Sequence, residues 1–267
     1  MSETNEVIRV ERLECRYDGR VVLRDINFSV QRNEIFFVAG RSGCGKSTLL
    51  RHLLGLQVPA GGRIAYFGKE FSDPLSRREI FKSFGVLFQE DALWTEMSLR
   101  ENIALPLLLH TRLSRRTRAE IVGLKLAQVG LAGHAESLPS ELSGGMRKRA
   151  ALARALALDP AILFFDEPTS GLDPITARQI NDLILHVRHT VGATVVVVSH
   201  SISSIMAIAD RMILLDAKRK GIIAEGRPAD VARSHEDPLV REFFRREGSN
   251  RGKETLPAAA GQGTAAA

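Results

Sequence analysis

A glycine-rich stretch in the first third of the chain limits its possible folds more than any other feature. Residues 40–48 read GRSGCGKST and fit the pattern Gly-x-x-x-x-Gly-Lys-Ser/Thr, with an apolar strand-like run at 34–39 before them and a helix-like run at 49–54 after them. This order of strand, loop and helix is the context that the pattern requires. The glycines let consecutive backbone N–H groups converge, and the following helix adds its positive end, so the loop is suited to phosphate. The predicted phosphate-binding residues are Gly40, Arg41, Ser42, Gly43, Cys44, Gly45, Lys46, Ser47 and Thr48.

Two side chains of this loop have specific expected roles. Lys46 would reach the β- and γ-phosphates of a nucleotide, and the Ser47 hydroxyl would take a Mg²⁺ position. A glycine-rich turn could match the pattern by accident, but the flanking strand and helix argue against an accidental match. The sequence therefore predicts a protein that binds a nucleotide.

Composition indicates which partners and which cellular compartment to expect for this chain. The 267 residues are 44% hydrophobic and carry a net charge of +6, which indicates a large core and anionic partners such as a nucleotide, a membrane surface or nucleic acid. Of the two cysteines, Cys15 and Cys44, the second lies in the phosphate loop, where a disulfide would clamp the backbone; we expect a reduced, cytoplasmic compartment. We find neither an N-terminal signal segment nor a run of apolar residues long enough to cross a bilayer.

The chain begins with a predicted β-hairpin. Residues 7–17 alternate like an edge strand, Asp18-Gly19 is a turn signal, and 21–30 reads as the partner strand. Tyr17 ends the first strand, where its ring could stack on an adenine base. The alternative is an ordinary half-buried tyrosine.

The pattern changes in the middle of the chain. A short strand at 63–67, a helix at 76–82 and a buried strand at 84–88 lead to Gln89. From about 90 to 158 the apolar residues follow a helical period, which predicts a helical subdomain inserted into an α/β core. Helices are predicted to begin at Ser98, where Glu101 completes a capping box, and to cover 114–128.

The second half of the core begins with an apolar strand that runs into two carboxylates. Residues 161–167 read AILFFDE, which indicates a parallel strand buried on both faces with Asp166 and Glu167 at its carboxyl end. Ligands of open α/β sheets bind at that edge. A solvated pair of strand-end acids is the alternative. The remaining predictions are helices at 174–190, 229–233 and 238–246, strands at 193–198, 210–216 and 221–225, and a disordered tail at 248–267.

Leu142-Ser143-Gly144-Gly145-Met146 stands before a strongly helical run. By itself, such a start is either a second anion site at a helix N-terminus or an ordinary helix cap. With the other motifs, however, the chain resembles the nucleotide-binding subunits of ATP-binding cassette (ABC) transporters over residues 7–246. The matching motifs are the phosphate loop, the Q-loop at Gln89, the signature at 142–146, the Walker B strand at 162–166 followed by Glu167, the D-loop at 170–173, and the switch His200.

Two features resemble the Mla/Mce branch, whose members drive lipid transport. One is LFQEDALW at 87–94 with NIALPL at 102–107; the other is the Ser-Gly-Gly-Met signature continued by basic residues at 147–149. Met146 departs from the glutamine that is usual across ABC proteins, as in this branch. The resemblance implies an α/β fold with a P-loop NTPase core, a mixed sheet with an antiparallel β subdomain, and an inserted helical signature subdomain. It implies one nucleotide-binding domain over 1–247.

The resemblance also implies a mechanism. Two copies would pack head to tail, each ATP lying between one chain's phosphate loop and the signature of the other. Asp166 would hold Mg²⁺ beside Ser47 and Gln89, Glu167 would act as general base, and His200 would contact the γ-phosphate. The catalytic set is then Lys46, Gln89, Glu167 and His200, and the nucleotide contacts add Tyr17, Ser143, Gly144, Gly145 and Asp173.

The implied partners are a second ATPase subunit, an integral-membrane permease, accessory soluble subunits and a lipid-binding Mce-type protein, at the cytoplasmic face of the inner membrane. The cargo stays open, so an ABC ATPase for another solute is an alternative. A soluble ABC ATPase acting on nucleic acid or ribosomes is less favoured, because the chain has one cassette and no long heptad arm; we expect no nucleic-acid partner. A GTPase or kinase would leave Ser143-Gly144-Gly145 and His200 unexplained.

The roles of an arginine run and of the single tryptophan each have two interpretations. Arginines 112, 115, 116 and 118 could form a solvated helix face or contact lipid headgroups. Trp94, the only tryptophan, could pack in a core or line a groove that receives a permease helix.

Overall fold

The chain is built on two β-sheets, described by a computed structural model over residues 5–72, 74–234 and 236–248. The strands are β1 (Glu6–Tyr17), β2 (Arg20–Gln31), β3 (Ile35–Gly40), β4 (Gly61–Tyr66), β5 (Lys69–Glu70), β6 (Phe84–Leu87), β7 (Ile162–Asp166), β8 (Thr194–Ser199), β9 (Arg211–Asp216) and β10 (Gly221–Gly226). The helices are α1 (Lys46–Leu53), α2 (Pro74–Lys82), α3 (Leu99–His110), α4 (Arg115–Gln128), α5 (Gly144–Ala155), α6 (Pro174–Val191), α7 (Ile202–Ile208), α8 (Pro228–Ser234) and α9 (Pro238–Gly248).

The smaller sheet is antiparallel, with strand order β2-β1-β4-β5. The predicted hairpin between β1 and β2 is confirmed, and Asp18 and Gly19 both have positive φ in its turn. The prediction that 7–17 is an edge strand is wrong, because β4 pairs with the other side of β1. Alternating burial along a strand shows that one face is covered, but it carries no information about how many neighbours the strand has.

The larger sheet has the order β10-β9-β3-β8-β7-β6, and its strands β6, β7, β8, β3 and β9 run parallel. Every residue of β3 and β8 is buried, as their unbroken apolar sequences predict. Because β3, β8 and β7 are adjacent and parallel, their carboxyl ends meet at one edge. That edge carries the phosphate loop after β3, Glu167 after β7 and His200 after β8.

Each face of this sheet belongs to a different apolar cluster. Along β3, Phe36 and Val38 pack with α1 and the antiparallel sheet, whereas Ile35 and Phe37 pack with residues of α3 to α6. The period of two along a strand therefore divides the core into two layers on either side of one sheet.

All regular elements described between β6 and β7 are helical. The capping box of α3 is confirmed, since the Ser98 hydroxyl accepts from the Glu101 backbone N–H and the Glu101 carboxylate accepts from the Ser98 backbone N–H. That the helices between β6 and β7 form an inserted subdomain over about 90–158 stays a prediction. The predicted tail at 248–267 lies, apart from Gly248, outside the described residues. Within the described ranges, the helices are too short or too polar to cross a bilayer.

Candidate active site

The phosphate loop depends on glycine where it leaves β3. Gly40 has φ of 151°, and a Cβ added to it would lie 2.5 Å from the Cys44 Sγ and 2.7 Å from the Leu215 carbonyl oxygen. Gly45, at the N-cap of α1, has φ of 104° and provides no capping side chain. The first N–H groups of α1 thus have no side-chain acceptor at the cap and can bind an anion.

Lys46 is buried at the mouth of this loop. Its Nζ donates to the carbonyl oxygens of Gly40 at 2.8 Å and Arg41 at 3.2 Å, and it lies 3.8 Å from Glu167 Oε1. The ammonium is therefore fixed between the loop backbone and the acid that follows β7. A phosphate in the loop would meet a positive charge that is already in position.

Glu167 is 8% exposed and is held on both carboxylate oxygens. Its Oε1 lies 2.8 Å from His200 Nδ1, and its Oε2 accepts from the Ser199 hydroxyl at 3.1 Å. The backbone of Glu167 has φ of 47°, a left-handed conformation that is uncommon for a non-glycine residue. Such strain persists where the surroundings fix the residue, and it often marks functional sites.

Asp166 has the features of a cation ligand. Burial, followed by the neighbouring charge of Glu167, raises the pKa of this carboxyl group. Its Oδ1 is buried and has no hydrogen-bond partner among the described residues. The Asp166 carboxylate, the Ser47 hydroxyl and the Gln89 amide contain oxygen donors of the kind that Mg²⁺ prefers. Of the three residues, Ser47 and Gln89 line the cleft described next.

An open cleft of about 550 Å³ brings most of the predicted residues together. Tyr17 is 47% exposed at this cleft, and the Arg51 guanidinium lies over its ring, 5.9 Å from the ring centroid. Its stacking on an adenine base stays a prediction. Val22 and Ser170 also line the cleft and are not among the predicted contacts. Ser170 belongs to the D-loop motif, so the sequence could have indicated it as a contact. The full lining is Tyr17, Val22, Ser42, Gly43, Gly45, Lys46, Ser47, Thr48, Gln89, Glu167, Ser170 and His200.

Three predicted residues of the loop and D-loop have other contacts in the structure. Arg41 forms an ion pair of 3.0 Å with Glu242 of α9. Cys44 is a free, buried thiol whose pKa is raised by burial. Asp173 is the N-cap of α6 and accepts from the backbone N–H groups of Ile175 and Thr176. The side-chain hydroxyl of Thr176, followed by these backbone groups, lowers the pKa of Asp173.

The signature residues do not line this chain's own cleft. Ser143 is exposed and caps α5 by accepting from the Met146 N–H at 3.3 Å, while Gly144 and Gly145 form the first turn of that helix. A Cβ on Gly145 would lie 2.6 Å from the Thr176 methyl group. The helix start is therefore available to a second molecule, and its role as an anion site stays a prediction.

Comparison with known proteins places these features in a family. The sequence profile described as "ABC transporter" matches residues 23–170. The intermembrane phospholipid transport system ATP-binding protein MlaF of Haemophilus influenzae is 40% identical over 245 residues, which cover 90% of this chain and 91% of that protein. MlaF of Escherichia coli K12 is 41% identical over 85% of this chain and 84% of its own length. The probable ribonucleotide transport ATP-binding protein mkl of Mycobacterium tuberculosis H37Rv is 39% identical over 89% of this chain and 66% of its own length.

Solved structures agree with the sequence matches. CbiO1 from Clostridium perfringens, part of the ABC transporter complex cbiONQ, has a TM-score of 0.80 at 26% identity and covers 93% of this chain and 100% of its own. The dimeric post-hydrolysis structure of the ATP-binding cassette MJ0796 bound to ADP and Pi has a TM-score of 0.74 at 28% identity, covering 83% of this chain and 98% of that one. By its sequence profile, its near-full-length relatives and its fold, the chain belongs to the ABC transporter family, as an ATP-binding and ATP-hydrolysing subunit.

Proposed function

We propose that this chain is the ATPase subunit of a membrane transporter for phospholipids or related lipids. The observation that carries the ATPase part is the Glu167 carboxylate, placed between His200 and Lys46 at the mouth of the phosphate loop. The lipid part is supported by the MlaF relatives, whose names specify phospholipid transport and which match nearly the whole chain.

The roles of the site residues follow from their positions. Lys46 and the N-terminus of α1 bind the phosphates, and Glu167 accepts a proton from the attacking water while His200 fixes its carboxylate. Asp166, Ser47 and Gln89 would hold Mg²⁺, which when bound neutralises charge on the phosphates. Phosphoryl transfer depends mainly on positioning and charge neutralisation, and this set of residues suits those needs.

The working unit is a head-to-tail homodimer in which ATP lies between two chains. Ser143, Gly144 and Gly145 lie outside their own cleft at a helix start where Ser143 is exposed and the two glycines are half-buried, so this helix start is suited to complete the cleft of a partner. The D-loop at 170–173 and Tyr17 contact the ATP that is bound in this composite cleft. The dimeric structure of the similar cassette MJ0796, bound to ADP and Pi, supports a dimer.

The partner in the membrane is a permease, which places the chain at the cytoplasmic face of the inner membrane. A groove of about 310 Å³ between β6 and α3 exposes apolar side chains, including Phe88 and Leu109. Trp94 is not part of the lining of this groove, but it is 60% exposed. The exposure of Trp94 favours its role in docking over the interpretation as a core residue.

The arginine run at 112–118 is in part a solvated helix face. Arg116 pairs with Glu120, and Arg118 donates to the Leu113 carbonyl oxygen. Accessory soluble subunits and an Mce-type lipid-binding protein complete the proposed assembly.

The cargo is tested by purifying the chain from membranes with its permease. We expect copurifying phospholipid, and ATP-dependent transfer of labelled phospholipid after reconstitution into vesicles, abolished by Lys46→Ala. A second candidate cargo, a ribonucleotide, is favoured by the mkl relatives. ATP-dependent uptake of labelled ribonucleotide without lipid transfer would replace the lipid proposal.

A further inference from the structure

Lys148 lies on α5 but contacts the segment around Gln89. It is 4% exposed, and its Nζ donates to the backbone carbonyl oxygen of Gln89 in a short contact, with the Phe88 carbonyl oxygen at 3.5 Å. The same Nζ lies 2.9 Å from Asp91 Oδ1. A buried ammonium is costly unless oxygens surround it. Here all three oxygens belong to one short segment after β6.

A second cation of the same helix holds the next residues. The Arg154 guanidinium, whose pKa is lowered by burial, donates to the carbonyl oxygens of Ala92 at 2.6 Å and Asp91 at 3.0 Å. Asp91 and Ala92 have φ of 60° and 52°, two successive left-handed residues without glycine. Backbone in that region needs external contacts to persist, and α5 supplies them.

We propose that Lys148 is a positioning residue that ties the backbone of Gln89 to the helix carrying the signature. Gln89 lines the chain's own nucleotide cleft, whereas Ser143 to Gly145, at the start of the same helix, face the nucleotide of the partner in the proposed dimer. A shift of Gln89 therefore moves α5 or breaks the contacts of Lys148. The two nucleotide sites of the dimer communicate through this contact. The inference rests on the proposed dimer but not on the proposed cargo.

The competing explanation is that Lys148 only neutralises Asp91. Two variants separate the explanations. Lys148→Met removes the contact to the Gln89 carbonyl and the nearer cation of Asp91, which keeps the Arg147 guanidinium 3.6 Å from its other oxygen. Lys148→Met with Asp91→Asn also removes the charge of the Asp91 carboxylate, but it still leaves the Gln89 carbonyl without the lysine. Lys125→Met is a matched control, because Lys125 is also a buried lysine paired with an acid, Asp159, but on α4 and away from Gln89.

The measurements are ATP hydrolysis against ATP concentration, binding of a fluorescent ATP analogue to the isolated chain, and thermal melting. We expect Lys148→Met to lower kcat roughly 10- to 100-fold, the range that follows from ångström-scale misplacement. Its Hill coefficient should approach one, with analogue affinity close to that of the wild type. Lys148→Arg should restore most of the cooperativity. The double variant should regain melting temperature but not cooperativity, and Lys125→Met should lose melting temperature only.

Recovery of both melting temperature and cooperativity in the double variant would overturn the proposal, as would wild-type cooperativity in Lys148→Met. If Lys148→Met does not fold, the double variant is compared with Asp91→Asn alone, where equal cooperativity overturns it. Failure of lipid transfer with intact cooperative hydrolysis would count against the cargo and not against Lys148. A wild-type chain that hydrolyses ATP as a monomer would overturn the proposed dimer itself.

Discussion

Glu167 shows how single contacts prepare a carboxylate for chemistry. His200 and Ser199 occupy one oxygen each, so the side chain cannot rotate away without losing both hydrogen bonds. The Lys46 ammonium lies 3.8 Å from Oε1. The proposed base is therefore fixed before any nucleotide arrives.

Glu167→Gln tests that role. The amide keeps the shape of the side chain but cannot take a proton, so we expect hydrolysis to fall by about 10²–10⁴ with ATP binding retained. Steady-state ATPase assays and nucleotide-binding titrations measure the two effects. Glu90→Gln, the same change on an exposed glutamate next to Gln89, is the control. Near-normal turnover in Glu167→Gln would exclude Glu167 as the base.

Residues within motifs could be predicted from the sequence, whereas residues that act through a distant neighbour could not. Lys46, Glu167 and His200 were found because their types and order are characteristic. Ser199 and Lys148 were missed as site residues, since their importance depends on which oxygens lie beside them after folding. The sequence shows their types but not those neighbours.

At the scale of elements, the fit between β6 and α5 depends on a missing side chain. A Cβ on Gly85 would lie 2.3 Å from the Ala155 carbonyl oxygen and 2.7 Å from a Leu163 methyl carbon. The backbone of the last turn of α5 therefore lies directly on the strand that leads to Gln89. This close approach helps to hold the helix and the strand in register.

We expect Gly85→Ala to lower the free energy of unfolding by about 1–3 kcal/mol, the usual cost of overpacking. Gly123→Ala is the matched control, because a Cβ there meets nothing within 4 Å on α4, and alanine should stabilise that helix by about 0.5–1 kcal/mol. Denaturant unfolding of both variants measures the difference. If Gly85→Ala and Gly123→Ala had equal free energies of unfolding, the close packing of β6 against α5 would not contribute to stability.

The loop after Gln89 gives a second prediction at this scale. Its Trp94 backbone is fixed by Asn102, whose side chain bonds both the N–H and the carbonyl oxygen of Trp94, while the indole stays exposed. Trp94→Ala should therefore leave thermal stability nearly unchanged but weaken assembly with the permease by about 2 kcal/mol or more, as for an interface anchor. Leu124→Ala, another exposed apolar residue, is the control. Normal assembly, or a much lower melting temperature, would exclude docking at Trp94.

Across the whole molecule, the sequence indicates nearly all strands and helices, but apart from the hairpin of β1 and β2 it does not indicate which strands pair. Long apolar runs and capping residues mark β3, β8 and α3 because these signals are local. The pairing of β1 with β4 was missed because it joins segments on either side of the phosphate loop. The short elements β5 and α7 were also missed, since so few residues carry little periodicity.

The proposed dimer is tested by two lesions in different arrangements. With Lys46→Ala on one chain and Ser143→Arg on the other, both defects fall in one composite site, so the second site should still hydrolyse ATP. With both on the same chain, each site is damaged and hydrolysis should be lost. Tagged mixed dimers measure this difference. Equal activity in the two arrangements would contradict head-to-tail packing.

The exposed position of Trp94 has a spectroscopic consequence. Because the chain contains one tryptophan, its intrinsic fluorescence reports on a single indole, and that indole meets water. An indole in water emits at longer wavelength than one in an apolar groove. The wavelength of maximum emission therefore reports whether a partner covers this loop. No added label is needed, provided that the tryptophans of the partner have been replaced.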